Sequence, residues 1–410
     1  MPFSVDDGAG YLSPCPPNGS SFASTTPPSP APLATSPEPL RAGLGPLLPL
    51  PLILQRGNTS TIVEQPTDLR LLTSRLLDHA TTFVKAHRGE RWFIYFAFGH
   101  VHTATAAISP DRQYAGCRFA GTTARPFTDA LAEVDDAVGS LLGVIDELGQ
   151  ASSTLTLFTS DNGPSLRWKG GAGTVGPFVG AAAAFANGTS YRNTAKGSTW
   201  EGGIRMPAFV HWPGTVTPGG AADTVISTLD VLPSLLRVLQ RPMPTGRTLD
   251  GTLSLADVIL SSSSGGGRRA RHGADPPTRH AFLPFYNEPS YGNASHRIFA
   301  ARYGRYKAHW ITSPGLGGGL LPYTSPTPEA THSPPLVFDV EADPEEAFPL
   351  PPASLPPALL AELAKRKAAY ESQLTPTAIT SKWGYEYALC CGVGCTPPCV
   401  CQCKGVPLPP

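Results

Sequence analysis

Apolar positions recur at helical spacing twice in the first part of the chain. Over 67–87, TDLRLLTSRLLDHATTFVKAH, Leu69, Leu72, Leu76, Ala80, Phe83 and Val84 share one side of a 3.6-residue period. Thr67 or Asp68 stands where a cap is needed. Over 126–149, Leu131, Val134, Val138, Leu141, Leu142, Ile145 and Leu148 form a second stripe, with Pro126 in the first turn and Gly149 as the stop. Each helical stretch is followed by a short apolar or β-branched run, RWFIYFAF (91–98) and STLTLFTS (153–160). Unbroken runs of this kind are expected of strands buried on both faces. Helix, strand, helix, strand with short connections predicts an α/β fold: a mostly parallel central sheet flanked by helices.

Farther along, MPAFVHWPG predicts another strand and LDVLPSLLRVLQ (229–240) another helix, after a Gly-rich, loop-like stretch at 163–200. Residues 261–273, SSSSGGGRRARHG, are of low complexity. Beyond them the order changes. HAFLPFY, RIFAARYGRYKAHWIT and PLVFDVE predict strands with tight turns, and 356–374 a helix. This is a C-terminal α+β subdomain with a small antiparallel sheet. The predicted division is 1–260, an insertion at 261–278, and 279–410. Residues 16–40 are rich in Pro, Ser and Thr and predict an irregular loop.

Composition narrows the function classes. The chain of 410 residues is 41% hydrophobic and 15% charged, with 42 Gly and 46 Pro, so a large core is joined by many loops. Lys+Arg and Asp+Glu are both 31, which gives no support to a nucleic-acid partner. The longest apolar run, 44–54, is too short for a bilayer and holds three prolines, so no membrane span is expected. It is internal, and MPFSVDDG has no basic or apolar leader, so the expectation is a mature chain or a start that lies late in the gene.

Six of eight cysteines crowd into 390–403. No histidine lies near and the spacing is not that of paired zinc knuckles, so a knot of three disulfides is preferred over a zinc site. Sequons at Asn18, Asn58, Asn187 and Asn293 agree with an oxidising compartment.

Two predicted strands end in polar clusters, Gly99-His100-Val101-His102 and Asp161-Asn162-Gly163-Pro164. Sites in open α/β sheets lie at the carboxyl ends of strands. A carboxylate beside an amide oxygen is a hard donor pair, suited to Ca²⁺ or Mg²⁺ rather than zinc. On an extended segment His100 and His102 share a face, and either could serve as a general acid near neutral pH. The bland alternatives are a tight turn and two surface histidines. Lys196, in AKGSTWEGGIR, sits in a small-residue loop where an ammonium could meet an anion; alone, a solvated lysine is the better reading. Gly171–Gly176 fits GxGxxG but runs into Pro177, and Lys196-Gly197-Ser198 inverts the P-loop order, so neither supports a nucleotide site.

The ordered series FIYFAFGHVH, DALAEVDDAVGSLLGVIDELG, LTLFTSDNGP, KGSTWEGGIRMPAFVHWPG and LDVLPSLLRVL resembles the sulfatases of the alkaline phosphatase-like superfamily, in their arylsulfatase A-like branch. GRYKAHW and the cysteine-rich tail resemble the family's C-terminal part. The resemblance implies hydrolysis of sulfate esters of small molecules, lipids or sugars. It implies a secreted, lysosomal or vacuolar setting, and allows a homo-oligomer. It implies Asp161 and Asn162 as ligands of a divalent cation, Ca²⁺ first and Mg²⁺ second. Lys196 would contact the sulfate, and His100 would donate a proton to the leaving oxygen. Ser4, in a segment similar to the family's PYS-x-D, would be a polar contact of the active site; His102 matches too, without a role.

The resemblance has a gap. The family's nucleophile is a formylglycine made within C/S-x-P-x-R. Cys15-Pro-Pro-Asn-Gly and Cys395-Thr-Pro-Pro-Cys lack the arginine and fall where the family has disulfide cysteines. The family's Asp-Asp metal pair and its nucleophile precede the PYS segment, which here stands at the start of the chain. The expectation is therefore a fragment without its first βα units, unable to turn over sulfate esters as it stands. The alternatives are a phosphoester hydrolase of the same superfamily and a non-catalytic pseudo-sulfatase glycoprotein.

Overall fold

Both amphipathic stretches fold as their period dictates. The computed structural model describes residues 15, 51–65, 67–102, 115–123, 125–166, 173–181, 193–246, 249–262, 280–286, 297–315, 329–374 and 399–400. Helix α1 (Leu72–Ala86) follows a 3-10 turn at Leu69–Leu71. Asp68 caps that turn by accepting from the Arg70 backbone N–H at 3.1 Å, which satisfies a donor the turn leaves orphaned. Helix α2 (Pro126–Glu147) starts on its proline, and Gly149 beyond it takes φ +70°, a conformation that costs glycine little. Leu69, Ala80, Val84, Val134 and Ile145 are buried as the stripes predict. Leu131 is not: it is 47% exposed, and Ala130, Ala137 and the carboxylates Asp129 and Glu133 take the inner side of α2.

A hairpin that the sequence pattern does not single out precedes α1. Strands β1 (Leu52–Arg56) and β2 (Thr59–Glu64) pair around Gly57-Asn58, with Gly57 at φ +57°. Asn58 is exposed in that turn; the other three sequons lie outside the described residues. Cys15 is disulfide-bonded to Cys117, as the resemblance implies for that cysteine. Ser4, and the 390–403 cysteines save the backbone of Cys399, also lie outside the described residues.

The segment predicted as a strand at 91–98 belongs to no ladder among the described residues. Its residues alternate in exposure, and Phe93 and Tyr95 are 73% and 77% exposed. The second predicted strand does form: β3 (Thr156–Thr159) pairs with β4 (Ala208–His211), and it pairs antiparallel. Phe158 faces Phe209 with ring centroids 4.9 Å apart. Every ladder among the described residues is antiparallel. An apolar run determines that a segment is extended and wants cover. It does not determine which neighbour supplies the ladder.

The chain falls into two compact units. One holds Met1–Leu148, Trp168–Ala172 and Ile379–Pro410; the other holds Gly149–Arg167 and Gly173–Ala378. In the first, α1 packs on α2, and β9 (Cys399–Val400) joins β2. The second contains β3, β4, a one-turn helix α3 (Glu201–Ile204), and the packed helices α4 (Val231–Val238) and α5 (Ser254–Ser262). It also contains an antiparallel sheet of β5 (Leu283–Tyr286), β6 (Ile298–Tyr303), β7 (Tyr306–Thr312) and β8 (Ala330–Asp339), in that order. Helix α6 (Pro357–Glu371) sets Leu359 and Leu363 against Ala308 and Val337 on one face of this sheet. Strand alternation turns Lys307, His309 and Phe338 to the other face, where Trp200 packs on His309 and Phe338. No helix among the described residues is long and apolar enough to cross a membrane.

Candidate active site

The Asp161-Asn162-Gly163-Pro164 turn and the lysine loop are stitched together by backbone hydrogen bonds. Gly163 N–H donates to Gly203 O at 2.9 Å, and Lys196 N–H donates to Pro164 O at 3.0 Å. The approach is so close that only glycine fits. A Cβ on Gly163 would stand 2.0 Å from Gly202 O, and one on Gly203 would stand 2.5 Å from Ser198 O. The Gly202-Gly203 pair of KGSTWEGG is therefore a packing requirement of this contact.

Asp161 is exposed, and Asn162 and Lys196 are half-buried. Asn162 Nδ2 donates to Gly163 O at 2.9 Å, which commits the amide nitrogen and leaves Oδ1 as the end able to meet a cation. A carboxylate and an amide oxygen in one turn fit a hard divalent cation. Among the described residues no group of three or more His, Cys, Asp or Glu gathers as a complete cage. The sequence-predicted site residues thus split. Asp161, Asn162 and Lys196 come together in one unit, while His100 belongs to the other.

His100 is not on an extended segment beside His102. Residues 100–102 form a turn in which His102 N–H donates to Gly99 O at 3.2 Å, so the two histidines do not share a face. The His100 side chain is fully buried, with Nε2 at 2.9 Å from Glu133 Oε2. The same oxygen accepts from Gly116 N–H at 2.6 Å. His102 is half-buried. This geometry makes Glu133 a tie from α2 both to the His100 turn and to the loop that carries Cys117. Glu133 escapes the sequence reading, although one signal existed: Asp129 and Glu133 lie one turn apart on the inner side of α2. Two carboxylates at that spacing repel unless each has its own partners. Asp129 accepts from Gly121 N–H at 2.8 Å and from Thr123 N–H at 2.8 Å. Burial pushes its carboxyl up, and these hydrogen bonds with those of the Thr122 and Thr123 side chains outweigh that and hold it below the usual range.

Behind the lysine loop lies a buried ionic cluster. Lys307 Nζ reaches Glu201 Oε1 at 2.9 Å and Glu346 Oε1 at 3.1 Å. His309 Nε2 lies 2.7 Å from Glu346 Oε1, and Trp200 stacks on the His309 ring at 4.5 Å. Burial opposes ionisation of Glu346, yet the Lys307 charge and the His309 contact bring its carboxyl to about 2. Burial pushes His309 below its ordinary value in spite of Glu346.

Comparison with known proteins covers both the loops of this site and the C-terminal sheet. The sulfatase family model matches residues 51–240, and a second model, the C-terminal region of aryl-sulfatase, matches 278–403. The chain belongs to the sulfatase family. This sulfatase chain is 32% identical over 371 residues to arylsulfatase A of Bos taurus, a match covering 87% of the chain and 64% of that relative. It is 33% identical to arylsulfatase A of Homo sapiens with the same coverage, and 33% identical over 304 residues to a steryl-sulfatase of Rattus norvegicus. The chain therefore spans less than two thirds of the length of these relatives. Among solved structures, the PsFucS1 sulfatase from Pseudoalteromonas sp. superposes with a TM-score of 0.60 at 21% identity, over 78% of this chain and 57% of that one. That likeness places the chain in the alkaline phosphatase-like α/β fold.

Proposed function

We propose that this chain carries the cation- and sulfate-holding loops of a sulfuric ester hydrolase. The observation that carries the reading is the double backbone stitch, Gly163 to Gly203 and Lys196 to Pro164, which fixes a hard-donor turn beside a lysine. Asp161 and Asn162 Oδ1 would hold a divalent cation, Ca²⁺ first and Mg²⁺ second. Once bound, such an ion draws charge from the sulfate oxygens. Lys196 supplies a compact positive charge for the same anion, and its main chain is immobilised by the stitch. His100 was expected to donate the proton to the leaving oxygen. That role rests on the resemblance alone. The motif C/S-x-P-x-R occurs nowhere in the 410 residues, so the reading assigns this chain binding and no nucleophile. The substrate class is a sulfate ester of an aryl, lipid or sugar alcohol, and the setting is the secretory pathway or lysosome.

Calorimetric titration of the purified chain with Ca²⁺ tests the binding. Two protein ligands predict weak affinity, with Kd on the order of 10⁻³ M, lost in Asp161→Ala. An unchanged isotherm in Asp161→Ala contradicts the assignment. Turnover of an aryl sulfate by this chain contradicts the absence of a nucleophile.

A further inference from the structure

Residues 201, 307, 309 and 346 are far apart in sequence and lie in the regions matched by two different family models. They meet in one buried cluster. Lys307, His309 and Glu346 are all 0% exposed, and Glu201 is 5% exposed. Glu346 is the hub. Its Oε2 accepts from the Glu201 backbone N–H at 2.6 Å, the first donor of α3, which the one-turn helix leaves orphaned. Its Oε1 meets His309 and Lys307, and Lys307 returns to the Glu201 side chain. Glu346 reaches this place with φ +54°, a left-handed conformation that non-glycine residues adopt only where the surroundings hold them.

The chain of contacts runs from this hub to the candidate site. Glu201 begins the turn whose Gly203 N–H bonds Trp200 O at 2.8 Å, and Gly203 O receives Gly163 N–H. The loop is supported from the segment after β7 as well: Gly315 N–H donates to Asn193 O at 2.7 Å, and a Cβ on Gly315 would stand 2.8 Å from Lys196 O. Part of the loop's buried contacts thus come from β7 and from the segments after β7 and β8.

We propose that Glu346 is a positioning residue: from the loop after β8 it holds the 195–204 loop, and through it the Asp161-Asn162-Gly163 turn, in the geometry that sets Lys196 beside the hard-donor pair. This gives the C-terminal subdomain a task in the chemistry without contact with substrate. The inference takes from the proposed function only the role of Lys196 as the sulfate contact.

The test is amide hydrogen exchange on the full 410-residue chain and its Glu346→Gln variant, with titration of inorganic sulfate in parallel. The inference predicts exchange at 161–164 and 195–204 faster by roughly tenfold or more, with α4, α5 and α6 unchanged. It also predicts sulfate affinity lowered by about tenfold, with no further loss when Glu346→Gln is added to Lys196→Ala. Unchanged loops, or acceleration shared equally with those helices, overturns it. A loosened loop with undiminished sulfate affinity overturns it too. If the unaltered chain fails to bind sulfate, the role of Lys196 falls, and the exchange pattern alone decides whether Glu346 holds the loop. Should Glu346→Gln not fold, Glu346→Gln with Lys307→Met removes the charges as a pair and is judged by the same exchange criteria.

Discussion

Two segments with nearly the same sequence character meet different fates. Residues 91–102 and 156–164 both run from an apolar stretch into a polar cluster, and both predict a buried strand ending in a site. The second pairs with β4, stacks Phe158 on Phe209, and has its turn pinned to the lysine loop. The first makes no ladder among the described residues, leaves Phe93 and Tyr95 exposed, and ends in a histidine sealed against Glu133. The difference lies in what surrounds each segment. A polar residue after a strand becomes functional or structural according to the contacts its neighbours leave open.

The largest expected effect that sharpens this contrast is at Gly163. Gly163→Ala places a methyl against the Gly202 carbonyl carbon and oxygen, which no rotamer change can relieve. A loss of about 3 kcal/mol in urea unfolding is expected, since overpacking against backbone stands at the upper end for such changes. Gly89→Ala is the control: φ is +88° with open space around the Cβ, and about 1 kcal/mol is expected. Equal losses at the two glycines would break the claim that the DNG turn is packed and the 91–102 lead-in is not.

Next in size is Glu133→Ala. It removes the acceptor for His100 Nε2 and for Gly116 N–H inside the first unit, and about 2–3 kcal/mol of destabilisation is expected. His100→Gln, which retains a donor, should lose less. If Glu133→Ala unfolds at the urea midpoint of the parent chain, Glu133 is not the tie described above.

Acid stability comes third. Burial pushes the Asp230 carboxyl up, but hydrogen bonds from His280, Ser227 and Thr252 outweigh it and hold it low. Glu346 is likewise depressed, to about 2. A carboxylate with a depressed folded pKa contributes stability in full above its unfolded pKa, and that contribution is lost as pH falls through the folded value. His309, held neutral by burial, acts in the same sense, because the unfolded chain binds the proton first. The melting temperature should therefore fall as pH drops from about 6.5 toward 2. In Asp230→Asn the melting temperature should be lower near neutrality and the acid slope shallower. An acid slope as steep as the parent's would remove Asp230 from this account.

Much of this was legible in the chain. The periods of α1 and α2, the Asp68 cap, the C-terminal antiparallel sheet and the DNGP and KGSTWEGG motifs follow from side-chain spacing and turn chemistry. The unread parts share a cause, which is that they depend on partners distant in sequence. Glu346 looks like one more acidic surface residue in EADPEEAF until β7 brings Lys307 and His309 to it. The hairpin at 52–64 was hidden because its apolar run blends into prolines. His100 and His102 were assigned one face because an extended backbone was assumed, and the turn at 99–102 separates them.

The smallest expected effect is at the exposed aromatics. Phe93→Ser and Tyr95→Ser should each change stability by less than about 0.5 kcal/mol, since both rings already face solvent. A loss near 2 kcal/mol in either would mean that 91–98 is covered in solution, and the contrast with 156–164 would close.

The central claim is that the DNG turn and the lysine loop form one site, and linked titration of Ca²⁺ and sulfate tests it most directly. The account predicts that sulfate raises the affinity of the 410-residue chain for Ca²⁺ by roughly fivefold or more, and that Lys196→Ala abolishes this coupling while Ca²⁺ alone still binds. Calcium affinity that is the same with and without sulfate would contradict it.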